Sequence, residues 1–95
     1  MKTKLDRYEL SILINSLNTM RENYNPKTND YLCDLILRLI SIYDSIKPKH
    51  KTRIVFNSNE LHLIHIVLID CRNKFINTGH PEAAGSIGEL LVKIA

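Results

Sequence analysis

Several residue types are scarce in this chain, and each scarcity excludes something. Three glycines among 95 residues, at 79, 85 and 88, neither follow a strand pattern nor form a phosphate-cradling fingerprint, so a nucleotide-binding loop of either common type is not expected. Two cysteines, Cys33 and Cys71, fall inside apolar helical patterns. They predict buried thiols of a cytosolic protein rather than a disulfide framework. Tryptophan is absent and aromatic residues make up 6%, too few to supply a stacking platform for single-stranded nucleic acid once the core has taken its share. No apolar run approaches the length of a membrane span. The longest, residues 61–69, is interrupted by His62 and His65, so no membrane association is expected. The first residues of the chain lack the charged, apolar and small-residue pattern of a secretory signal, so secretion is not expected. The expected location is cytoplasmic.

Charge of one sign is only mildly in excess. The formal net charge is +3 and the sequence pI about 9.0, a surplus that suits nucleic acid, an anionic ligand or simple solubility equally well. Apolar content of 44% is that of an ordinary globular chain and argues against disorder. The length suits one domain with a modest core.

What the chain does have is an internal echo. Shifted by 51 positions, Leu5 falls on Phe56, Glu9 on Glu60, Leu10 on Leu61, Leu13 on Ile64, Leu17 on Leu68, Arg21 on Arg72 and Tyr24 on Phe75. Past a loop, Ile36, Leu39 and Ile40 fall on Ile87, Leu90 and Leu91. A unit of this length repeated once predicts two copies of a supersecondary element, neither able to bury its apolar face alone.

Each copy begins with the same helix-start signal. Asp6 is followed three residues later by Glu9, and Asn57 by Glu60, the spacing of a capping box. Leu5 with Leu10, and Phe56 with Leu61, have the spacing of a hydrophobic staple. Helix 1 is expected to run to about Tyr24, with Leu10, Leu13, Ile14, Leu17 and Met20 on one face. Asn25-Pro26 interrupts it. Thr28 or Asn29 is then expected to cap helix 2, which carries Leu32, Leu35, Ile36, Leu39, Ile40, Tyr43 and Ile46 and ends before Pro48. Helix 3 follows Asn57 with Leu61, Ile64, Leu68, Cys71 and Phe75, and Gly79 is its expected left-handed terminator. Pro81 starts helix 4, whose stripe is Ile87, Leu90, Leu91 and Ile94.

The predicted fold is therefore all-α: two tandem helical hairpins, residues 5–46 and 56–95, joined by a basic connector at 47–55 and packed as a pseudo-twofold four-helix domain spanning residues 1–95. The segments Lys2-Thr3-Lys4-Leu5 and Arg53-Ile54-Val55-Phe56 also align. Both copies can thus enter their first helix from an extended arm, and the two arms can pair.

Function is sought where the copies diverge. Helix 1 has Asn15, Ser16 and Asn18 where helix 3 has Ile66, Val67 and Ile69. With Leu63 these make helix 3 apolar on a second face. Either helix 3 is central in the bundle, or Leu63, Ile66, Val67 and Ile69 form a self-complementary homodimer interface. Arg21 and Arg72 recur at one repeat position. They suit either dipole compensation and pairing with an acid, or anion binding by forked donors. Lys49, Lys51 and Arg53 in the connector, with Lys2 and Lys4 in the matching arm, read as a solvated linker or as contacts to an anion or nucleic acid. His62 and His65 lie one turn apart, but no further ligand completes a metal set, so no metal or other cofactor is expected. No nucleophile–base–acid motif appears, and no catalytic residues are assigned.

In its richness in Ile, Asn and Lys the chain is similar to small proteins of AT-rich bacterial and phage genomes. The expected function is that of a non-catalytic, homodimeric binding protein, such as a phage or mobile-element accessory protein that inhibits or sequesters a host protein. A nucleic-acid-binding regulator, and a binder of an anionic small ligand such as a nucleotide between hairpins or protomers, are the alternatives.

Overall fold

A computed structural model of the chain describes residues 2–94, and side chains from residue 3 onward. Strand β1 (Lys2–Asp6) leads into helix α1 (Arg7–Met20), a 3-10 turn over Arg21–Asn23 and helix α2 (Pro26–Ser45). Strand β2 (Lys51–Val55) then leads into α3 (Ser58–Asn77) and α4 (Pro81–Ile94). The domain is all-α in class, with four helices forming its bulk. The extended arms are strands, and they form an antiparallel two-stranded ribbon with Thr3 opposite Ile54, Lys4 opposite Arg53 and Leu5 opposite Thr52.

Both capping boxes are formed. Asp6 accepts from the Glu9 amide at 2.8 Å while the Glu9 carboxylate accepts from the Asp6 amide at 3.1 Å. Asn57 and Glu60 exchange the equivalent bonds at 2.8 and 3.0 Å. Each returning glutamate also meets a cation from the opposite half of the chain. Lys93 of α4 reaches Glu9 at 2.6 Å, and Arg38 of α2 reaches Glu60 at 2.8 Å. The two halves are thereby tied reciprocally at the starts of α1 and α3.

Helix 1 ends earlier than its apolar pattern implies. The chain tightens into the 3-10 turn after Met20 and turns extended at Tyr24. The cause lies downstream: Asn25, not Thr28 or Asn29, caps α2 by accepting from the Thr28 amide at 2.8 Å, with Pro26 in the first turn. An N-cap must be non-helical, so α1 cannot continue into it. Gly79, at φ +79°, closes α3 as expected.

The core joins Leu5, Leu10, Leu13 and Leu17 to Leu32 and Leu39, and these to Phe56, Ile64, Val67, Leu68 and Ile94, all fully buried. Ile40, expected on the core face of α2, is instead exposed. Cys71 is buried as expected, whereas Cys33 is only partly so. Helix α1 packs against α2, α3 and α4, while α3 packs chiefly on α4 and α1. The central helix is thus α1, which leaves an outer face on α3.

Candidate functional site: the outer face of α3 and the basic ribbon

The geometry of α3 sorts its apolar residues in two. Glu60, Ile64, Val67, Leu68 and Cys71 share the inner face and are buried. Ile66, Ile69 and Ile76 share the outer one, with 39%, 48% and 52% of their surface exposed, and Leu63 lies half-buried at its edge. Val67 therefore does not belong to the outer surface where the sequence comparison placed it. It stands three residues from Ile64 and four from Cys71, which is core spacing. Its aligned partner Ser16 is buried too, so at this position the copies differ in chemistry and not in location. Ile76 joins the face instead. Helix α3 has 20 residues against 14 in α1, so Ile76 has no helical counterpart in the first half and comparing the copies cannot find it. The spacing Ile66, Ile69, Ile76 would have done so.

The polar edge of this face is pinned. The Tyr24 hydroxyl donates to Asp70 Oδ2 at 2.5 Å, tying the end of the first hairpin turn to α3. Burial, and then the bond to the Asp70 carboxylate, push the Tyr24 hydroxyl well above its usual range. Burial likewise raises the Cys71 thiol, opposed by its bond to Ser16. His62 is exposed, and His65 has a buried Nε2 without a hydrogen-bond partner. Among the described residues no three His, Cys, Asp or Glu side chains are grouped to hold a metal ion.

The two repeat-related arginines have different surroundings. Arg21 donates to Asn18 and Asn29 at 3.2 Å each and to Cys33 Sγ at 3.4 Å, and lies 3.8 Å from Glu22. Its fork is spent on fastening the 3-10 turn to α2. Arg72 is exposed and lines a shallow groove with Ile76, Pro81, Ala84 and the two glycines of α4. A second groove, of about 250 Å³, runs between α1 and α4 and is lined by Tyr8, Ile12, Asn15, Thr19, Phe75 and Ile87 among others. No charged side chain lines it, so it offers an anion neutral donors only.

The connector is not a solvated linker over its whole length, because half of it is β2. Side chains alternate across the ribbon. Thr3, Leu5 and Ile54 point into the molecule, while Lys4, Lys51 and Arg53 are exposed. Lys49 stands in the turn before β2 at φ +69°. It shares a groove with Asp6, Arg7, Tyr8, Ser11 and Tyr43, and there the Arg7 guanidinium lies 4.4 Å above the Tyr43 ring. No described helix is long and apolar enough to cross a membrane. Comparison with protein-family models, with curated proteins and with solved structures finds no match for this chain.

Proposed function

We propose that this chain is a non-catalytic binding protein that associates with a second copy of itself through the outer face of α3. The observation that carries the reading is the row Ile66, Ile69 and Ile76 on the open side of a helix that is not central in its own bundle. A twofold axis across one helix face makes such a row its own complement. Both acids of α3 are committed elsewhere: Glu60 to its cap and Arg38, and Asp70 to the Tyr24 hydroxyl. That commitment supports a binding role over a catalytic one.

Three half-exposed isoleucines from each copy make a small apolar contact, so the reading predicts a weak, concentration-dependent dimer. Light scattering across a concentration series should show the mass doubling. Ile66→Glu with Ile69→Glu should hold it at one chain that still unfolds cooperatively, since neither side chain belongs to the fully buried core. A wild-type chain that stays monomeric at about 100 µM, or a double variant that still dimerises, overturns the reading. The proposed setting is the cytoplasm, where an accessory protein of a phage or mobile element would hold a host component.

A further inference from the structure

The structure assigns a second binding surface, independent of α3: we infer that the outer face of the β1–β2 ribbon takes the phosphate backbone of double-stranded DNA, with the ribbon seated in the major groove. The register places Lys4 directly opposite Arg53. Like charges across a ribbon repel and weaken it, and neither residue forms an ion pair among the described residues. Lys51 extends the row along β2, and Lys49 adds a fourth exposed cation in the turn before it, in the groove that also holds Asp6. The one acid on this face, Asp6, sits across from Lys51 and already caps α1 through the Glu9 amide. A self-repelling row with a single engaged acid is complementary to a polyanion.

The shape narrows the polyanion to one. Two strands of five residues measure about 17 Å in length, and a two-stranded ribbon fits the roughly 12 Å major groove of B-form DNA. The deep, narrow major groove of an RNA duplex does not admit it. The exposed side chains of the ribbon include no aromatic ring, and Tyr8, exposed in the groove beside Lys49, is a single ring where a single strand needs successive ones to stack its bases. Val55, 59% exposed at the end of β2, adds an apolar contact of the kind that meets a thymine methyl.

Fluorescence anisotropy of the full chain with roughly two helical turns of labelled duplex DNA tests this. Four cations less one acid predict a log–log salt slope of about −3, or about a fiftyfold loss of affinity between roughly 50 and 200 mM salt. Lys4→Gln with Arg53→Gln should make the slope shallower by about 2. It should not lower the melting temperature, because it removes a repulsion. Lys49→Gly should weaken binding while relieving the positive φ, so lost affinity cannot be ascribed to lost folding. Lys27→Gln, on α2, should bind as wild type. No binding at low salt, or an unchanged slope in the Lys4/Arg53 variant, overturns the proposal. Equal or tighter binding of a single strand or an RNA duplex overturns the groove assignment. Displacement of the duplex by polyglutamate at equal charge reassigns the surface to an acidic protein.

Discussion

At the scale of single residues, the two glycines of α4 have no steric reason to be glycine. A Cβ on Gly85 would meet nothing within 4 Å, and one on Gly88 would only touch Arg72 Cδ at 4.0 Å. Neither has positive φ. Each should therefore carry the ordinary helical cost of glycine, so Gly85→Ala and Gly88→Ala are each expected to stabilise the chain by about 0.5–1 kcal/mol, read by urea unfolding. Arg38 is the opposite case. Glu60 is 7% exposed, and Arg38 supplies its charge partner while lying 5.9 Å from the Phe56 ring. Arg38→Met keeps the stem and leaves the carboxylate unpaired, which should cost about 2 kcal/mol. Since Arg38 is itself part-exposed, Glu60→Gln in that background should recover part of the loss, and the cycle isolates the pair.

At the scale of elements, the link from the end of the first hairpin turn to α3 is pH-dependent. The Tyr24 hydroxyl and Cys71 thiol both hold their protons more tightly folded than unfolded. Their contributions are complete below the ordinary values of 10.0 and 9.0 and are lost as pH climbs past them. Unfolding free energy should thus decline from about pH 9 upward. Tyr24→Phe should flatten the fall above about pH 10 while lowering stability near neutrality by about 1 kcal/mol. Elements with a local chemical signature were the ones legible in the sequence: both capping boxes, the Gly79 terminator and the Pro81 start need only neighbouring residues. The cap on α2 is not legible in the same way, because Asn25, Thr28 and Asn29 are all capping types and only the turn geometry selects Asn25 among them. At Val67 the change from Ser16 in the first copy signals a difference of chemistry, whereas the helical spacing from Ile64 signals the location, which is the core.

At the scale of the whole molecule, the strand pairing and the Lys93–Glu9 ion pair join residues far apart in sequence, in opposite halves of the chain. No periodicity announces such contacts, so the two arms could be aligned without revealing their register or the opposition of Lys4 and Arg53. The long reach of the ribbon also bears on how the chain is made. Leu5 and Thr3 are covered in part by a strand that begins at Lys51, so at synthesis rates of about 5–20 residues per second they wait roughly 2–10 seconds for their neighbour to emerge. A ribosome stalled between the two halves would hold a nascent chain whose first strand is still unpaired and open to other edges.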